Sequence, residues 1–360
     1  MTADESCEPP STGGVADPPS ELQQHQQPAL STIHDLYAEW DTFETIDAVR
    51  AALSLRNDVA LVEADHDCYL KLRELRPDIV FNIAEGLHGV SREAQVPAML
   101  ELLQIPYSGS DPLTLALCLD KSRAKEILSY YDVPTPRFHV LSRDTDISGL
   151  NVHYPSIVKP LHEGSSKGIF NSSVITSAAA LRREVGNVWE RYNEPSIVEQ
   201  YLPGREFTVA MLGNGDRLHV LPVVEILFDS LPPEVNRIYS YEAKWIWDTT
   251  DRPLEIFRCP ADISAALRGE IERICRKAYT VLRCRDWCRI DVRLDEAGVP
   301  HILELNPLPG ILPKPEDNSC FPKAARAAGL SYNELMQTVL TLAAVRTGLR
   351  KPSFLHTPQN

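Results

Sequence analysis

Cys288-Arg289-Ile290-Asp291-Val292-Arg293-Leu294, the turn Asp295-Glu296-Ala297-Gly298, and then Val299-Pro300-His301-Ile302-Leu303-Glu304-Leu305-Asn306-Pro307 form the stretch whose reading decides the fold. Two apolar, alternating runs flank an acidic turn that contains glycine, which is the pattern of a β-hairpin. Alternation with a period of two puts Arg289 and Asp291 on one face of the first strand. It puts Glu304 and Asn306 on one face of the second. Folding about the turn brings Asp291 level with residues 302 to 304. Two carboxylates, an amide oxygen and a guanidinium then converge at one end of the hairpin. Hard oxygen donors of this kind suit Mg²⁺, which takes one or two carboxylates and fills its other positions with water and phosphates. An amphipathic hairpin with a solvated polar face has the same spacing, so the stretch alone leaves both readings open.

A chain of 360 residues is long enough for two or three domains. Its net charge of −14 argues against general binding to nucleic acid or to an anionic membrane. A local basic pocket for a nucleotide remains compatible with it. No apolar run approaches the roughly 20 residues of a membrane span. The acidic, proline-rich N-terminus lacks the basic and apolar regions of a secretory signal. The cysteines form no C-x-x-C pair and have no partners at zinc spacing, as expected of free thiols in a reducing cytoplasm.

Outward from the hairpin, residues 1–29 are polar and rich in proline and read as a disordered tail. A smaller α/β region starts at Leu30. It has helical spacing over 45–55, 69–75 and 94–103, and short apolar strands at 59–62 and 78–83 that suggest a parallel sheet. Ligands gather at the carboxyl ends of such strands, so Glu85, His88 and Glu93 fall at a candidate site edge, with surface loop charges as the alternative. Asp120 caps a helix over 121–130, which sets the Lys121 cation against the helix dipole. Lys159 lies in a strand over 154–160. It is followed by Glu163-Gly164-Ser165-Ser166-Lys167-Gly168, a loop whose N–H groups could wrap phosphates but which also reads as a hairpin turn. A helix over 177–191, strands over 196–201, 204–212 and 219–226, and a long amphipathic helix over 264–282 lead to the hairpin. The connection over 228–250 is longer than a structural loop needs. A helix over 331–347 closes the chain.

Taken in order, Leu119-Asp120-Lys121, Val158-Lys159-Pro160, Glu163-Gly164-Ser165-Ser166-x-Gly168, Val198-Glu199-Gln200-Tyr201, Gly204-x-Glu206-Phe207-Thr208, Glu242-Ala243-Lys244, Arg289-Ile290-Asp291, Leu303-Glu304-Leu305-Asn306 and Ser319-Cys320-Phe321-Pro322 resemble the D-alanine–D-alanine ligases of the ATP-grasp superfamily. The resemblance covers about residues 38–345. It implies an α/β (α+β) ATP-grasp fold in three parts: an N-terminal α/β domain over 30–118, a central subdomain over 119–212, and a C-terminal subdomain over 213–348 with the metal and catalytic residues. A tail follows over 349–360. It also implies a two-step reaction in which ATP phosphorylates a carboxylate and an amine displaces phosphate from the acyl phosphate.

Carried over residue by residue, the resemblance implies that Lys121 and Lys159 contact the ATP phosphates and that Glu199 and Glu206 hold adenine and ribose. Gly164, Ser165 and Ser166 would close over the γ-phosphate, with Lys244 reaching it from the long connection. Asp291, Glu304 and Asn306 would hold two Mg²⁺ ions, or Mn²⁺. Arg289 would stabilise the acyl-phosphate and tetrahedral species. Ser319 would take the acceptor's carboxylate, and Glu93 would stand with the substrate residues. The partners implied are ATP and small amino acids, with a homodimer as a candidate assembly.

The departures fall on amino-acid recognition or the lid, and none on ATP or Mg²⁺. The family's glutamate for the first ammonium is best matched by Glu39, with Glu44 as the alternative. Trp245 replaces a tyrosine, and Asn318 replaces the histidine before Ser319. A ligase of the same mechanism for other amino acids, and a non-catalytic ATP-binding regulator, are the competing readings.

Overall fold

The structure is a computed structural model that describes residues 41–232, 234–247 and 256–351. Several of its helices start where small polar side chains accept from the first free N–H groups. Thr42 caps α1 (Phe43–Ser54), and Asp111, followed by proline, caps the later helix over Pro112–Leu119. Between them lie α2 (Cys68–Leu75) and α3 (Gln95–Leu103), so the Pro112–Leu119 helix is α4. Asp120 caps α5 (Lys121–Tyr130), accepting from Ser122 N and Arg123 N.

The strands expected over 59–62 and 78–83 do not form a regular sheet among the described residues. Val80 makes one parallel bridge to Tyr107. Its N–H donates to Pro106 O at 2.8 Å and its carbonyl accepts from Ser108 N at 2.9 Å. The parallel direction is as read, but Pro106 has no N–H with which to extend a ladder. Leu61 is exposed, so the 59–62 run is no buried strand.

A four-stranded antiparallel sheet follows, in the order β1 (Phe138–Leu141), β4 (Ser196–Gln200), β2 (Ser156–Pro160) and β3 (Val174–Ile175). The helix α6 (Ala178–Tyr192) buries Leu181, Val185 and Val188 against Val158 and Val198 of this sheet. The larger antiparallel sheet is built on β5 (Glu206–Leu212), β9 (Trp287–Leu294) and β10 (Pro300–Asn306). The single strand expected over 219–226 is broken into β6 (His219–Val220) and β7 (Val224–Ile226). Pro222 lies in the break, where it can donate no ladder hydrogen bond. The short β8 (Phe257–Arg258) pairs with β7 at the far edge.

The sheet's core face is covered by α7 (Ala265–Val281). Its buried Ile271, Ile274, Cys275, Ala278 and Tyr279 recur at helical spacing and meet Cys288, Ile290 and Val292 of β9. Next to the sheet, α8 (Cys320–Ala327) and α9 (Tyr332–Arg346) bury Phe321, Leu335 and Met336 with Val49 and Leu53 of α1. Cys68, Cys118, Cys275, Cys284 and Cys288 are buried free thiols. The polar face of β9 and β10 is left turned toward the loops around Lys121, Gly164 and Lys244.

Candidate active site

The core of the site is the polar face of the hairpin. Glu304 pairs in register with Asp291, and Asn306 with Arg289. The Arg289 guanidinium donates to both Asp291 oxygens, at 3.2 and 3.0 Å, and lies 3.9 Å from Glu304 Oε1. Asn306 Nδ2 donates to Asp291 Oδ2 at 3.3 Å. The two carboxyls are driven apart. Burial raises Asp291 against the pull of Arg289, and Glu304 adds to the rise. Burial works the same way on Glu304, but the charges of Lys121, Lys159 and Arg289 overcome it and hold Glu304 at about 2.

Two lysines act on this pair by their charge, and a third shares a partner with one of them. Lys121 begins α5 and donates from Nζ to Glu163 O, which turns its charge from the helix end toward the loop after β2. Lys159 on β2 donates to Glu199 Oε2 at 2.9 Å. Burial disfavours its charge, yet Glu199 and Glu304 raise its pKa above the ordinary value. Lys125, which the sequence reading passed over, lies 3.2 Å from Glu199 Oε1 and is 1 % exposed. Its signal was available: it stands four residues after Lys121, on the side of α5 that carries Ala124 and Leu128 into the core. Glu206 is paired instead with Arg293, at 2.7 Å.

The loop after β2 is held from both sides. Glu163 pairs with Lys167 at 3.0 Å and with the buried Arg92 at 3.3 Å. Ser165 and Ser166 both adopt left-handed backbone, at φ 50° and 61°, a conformation that costs a non-glycine residue free energy and persists only where its surroundings hold it. Gly168 is required for a different reason. At φ +72° its added Cβ would meet Pro160 Cγ at 2.3 Å. Ser166 Oγ donates to Tyr239 O at 2.8 Å, and Tyr241 N–H to Ile169 O at 2.7 Å, so this loop is tied to the long connection. There Glu242–Trp247 forms a π-helical turn that carries Lys244, a form frequent at functional sites.

One cavity collects much of this set. Glu93, Lys121, Gly164, Ser165, Lys244, Arg289, Glu304 and Asn306 all line it. Lys159, Glu199, Glu206, Asp291, Ser166 and Ser319 are not in its wall. Ser319 Oγ donates to Gly310 O at 3.0 Å, and Gly310 is in the wall. Glu85 lines the cavity, whereas His88 is exposed and its carbonyl accepts from Gln95. Glu39 lies outside the described residues. Glu44, the alternative to it, forms a half-exposed ion pair with Lys314 at 2.6 Å and is not in the wall. Asp41 lines the cavity instead, and burial raises its carboxyl to about 6. Sequence reading missed Asp41 because the pattern sought a glutamate.

Comparison with known proteins finds relatives by family model, by sequence and by fold. The family model described as D-ala D-ala ligase C-terminus matches residues 127–341. A D-alanine–D-alanine ligase of Bordetella avium is 36 % identical, over 74 % of this chain and 79 % of its own length. A protein of Sinorhizobium fredii described as uncharacterized is 34 % identical, over 84 % of this chain and 88 % of its own. Among solved structures, the D-alanine–D-alanine ligase of Bacillus anthracis complexed with ATP matches with a TM-score of 0.65 at 21 % identity, covering 85 % of this chain and 94 % of that one. The VanG D-Ala:D-Ser ligase of Enterococcus faecalis matches with a TM-score of 0.60 at 27 % identity, covering 74 % and 73 %.

Proposed function

The chain belongs to the D-alanine–D-alanine ligase family, with its ATP-grasp fold, and from that premise we propose that it uses ATP to join the carboxylate of one amino acid to the amine of another, releasing ADP and phosphate. The relatives named for this activity point to D-alanyl-D-alanine as the product. One observation carries the reading: Arg289, Glu304 and Asn306 share a single cavity wall with Lys121, Lys244 and Ser165. Nucleotide binding alone gives no reason for a guanidinium at that place.

The chemistry divides in two. A substrate carboxylate oxygen attacks the γ-phosphorus and the bond to ADP breaks. The second amine then attacks the acyl carbon, phosphate leaves, and the nitrogen gives up a proton. Lys121, Lys159 and Lys244 supply the positive charge that holds the phosphates. Arg289 stabilises the oxyanion of the tetrahedral species. The turn over Gly164–Ser166 covers the phosphates, and Ser319, next to Gly310, takes the acceptor's carboxylate. Glu199 and Glu206 are assigned to the adenosine end, and Glu93 and Asp41 to the amino-acid end. Asp41, which lines the cavity, is read as the group that holds the first ammonium.

The donor set also suits a divalent ion. Asp291, Glu304 and Asn306 offer hard oxygens. Among the described residues no group of three His, Cys, Asp or Glu side chains could hold a metal unaided. Mg²⁺ needs few protein ligands and takes the rest from phosphate and water. Bound there, Mg²⁺ or Mn²⁺ would neutralise charge on the transferring phosphoryl group. ATP dependence and free thiols fit a cytoplasmic setting.

A second reading, the same reaction with a different first amino acid, is favoured by Asp41, whose arm is one methylene shorter than the family's glutamate. Phosphate release by the purified protein, with ATP and Mg²⁺ over a panel of D- and L-amino acids, tests both readings. Release with D-alanine and a D-alanyl-D-alanine mass is the expected result. Release only with another pair selects the second reading, and no release with any pair rejects the ligase.

A further inference from the structure

Lys125 has no part in the chemistry above, yet it is the lysine most completely withdrawn from water. An ammonium at that depth persists only where partners satisfy it. Its Nζ donates to Leu303 O at 2.8 Å and to Thr135 Oγ1 at 3.1 Å, and lies 3.2 Å from Glu199 Oε1. These groups come from β10, from the turn after α5, and from β4.

The Leu303 contact falls at an irregularity in the hairpin. Ile302 pairs with Val292, but the next pair is Glu304 with Asp291, so Leu303 is an extra residue in β10. In a regular strand the carbonyls of successive residues point to alternate sides. Here Ile302 already turns outward: its N–H donates to Pro134 O at 2.8 Å and its carbonyl accepts from Thr135 Oγ1 at 2.8 Å. The Leu303 carbonyl turns outward as well, to Lys125. β10 is the edge strand of its sheet, so no further strand supplies these hydrogen bonds. Without the extra residue, Glu304 would fall opposite Ile290 and join the core face, because a slip of one residue exchanges the two faces.

We propose that Lys125 is the positioning residue for Glu304. By holding the Leu303 carbonyl it fixes the bulge that turns Glu304 and Asn306 onto the face of Arg289 and Asp291. The same ammonium shares Glu199 with Lys159 and so ties this strand to the phosphate lysine on the smaller sheet. The consequence for ion binding rests on the reading of Asp291 and Glu304 as metal ligands.

Binding of Mn²⁺ in the presence of ADP, followed on the full chain by electron paramagnetic resonance of the free ion, tests this. Lys125→Met should weaken Mn²⁺ binding by about 10- to 100-fold, the range seen when a group supporting a metal ligand is lost. Thr135→Val, which removes the neighbouring support, should also weaken it. Lys125→Met added to Glu304→Gln should weaken it by a smaller factor than Lys125→Met does alone, because much of the lysine's effect runs through that carboxylate and only the share through Asn306 remains. A folded Lys125→Met protein that binds Mn²⁺ as tightly as the wild type overturns the proposal. If that variant does not fold, unchanged binding by Thr135→Val overturns it. Failure of the wild type to bind Mn²⁺ would instead remove the metal reading, and this inference with it.

Discussion

Arg289 and Asp291, two residues apart on β9, are joined by two hydrogen bonds, Nε to Oδ1 at 3.2 Å and Nη2 to Oδ2 at 3.0 Å. The pairing keeps the guanidinium charged against its burial, with Asp291 the larger of the charges that raise its pKa. It also fixes the direction from which Arg289 meets the cavity. A lysine cannot reproduce two parallel donors. Arg289→Lys should therefore lower kcat by about 10²- to 10³-fold, the cost of losing a preorganised donor to a developing oxyanion. KM for ATP should change little. Steady-state kinetics with ATP varied checks this, and a rise confined to KM would reassign Arg289 to ground-state nucleotide binding.

Glu304 is held ionised by three cations and contributes no core packing. Glu304→Gln keeps the shape and removes the charge. The expected outcome is a fall in kcat of at least about 10²-fold, as for removal of a group that acts on transition-state charge, with an unchanged circular dichroism spectrum. Phosphate release at the wild-type rate would exclude Glu304 from metal binding.

The hairpin face was legible because Arg289, Asp291, Glu304 and Asn306 alternate with apolar residues on each strand. The bulge between them was not. Its trace is that the core residues of β10, Ile302 and Leu305, stand three apart rather than two, and no glycine or proline marks the slip. Lys125 was passed over by its type, since a helical lysine reads as solvated, although its place on the side of α5 that carries Ala124 and Leu128 was a trace of its burial. The regular strands expected at 59–62 and 78–83 failed for the converse reason. An apolar run gives the tendency to extend, but a ladder also needs a neighbour with free N–H groups, and the partner of Val80 is preceded by Pro106. Asp41 escaped because matching a motif by residue type cannot show which of several acidic side chains turns into a cavity.

Asp41 gives a pH-dependent expectation. Burial raises its carboxyl to about 6, so it is ionised above that pH and neutral below. A neutral acid cannot pair with an ammonium. The kcat/KM for the first amino acid should therefore fall as pH drops through about 6, while KM for ATP shows no matching change. Asp41→Asn should lose roughly 10- to 100-fold in that kcat/KM at pH 8, the scale of one hydrogen bond to a charged group, and should show no inflection near 6. An inflection that survives in the variant assigns the titration elsewhere.

His162 gives the clearest expectation for stability. It stands between Leu161, whose carbonyl accepts from Lys121 N, and Glu163, whose carbonyl accepts from Lys121 Nζ. Its Nδ1 is 2.9 Å from Glu194 Oε2, and its Nε2 is 3.7 Å from Oδ2 of Asp120, the cap of α5. Burial opposes its charge, but the two carboxylates prevail and raise its pKa from 6.5 to about 9. The sign follows from linkage. The folded state holds the proton more tightly than the unfolded state, so the stabilisation is fully present below pH 6.5 and is lost as pH rises through about 9. Its size is at most roughly 3 kcal/mol, from the free energy of a pKa displaced that far. His162→Gln should then unfold at a lower denaturant concentration than the wild type at pH 6, and the gap should close as pH approaches about 10. Because the same imidazolium braces the start of α5, KM for ATP should rise in the variant. His162→Arg, which restores a permanent cation between Asp120 and Glu194, should remove the pH dependence of the gap. A gap of constant size across this range would show that His162 serves by shape rather than by charge.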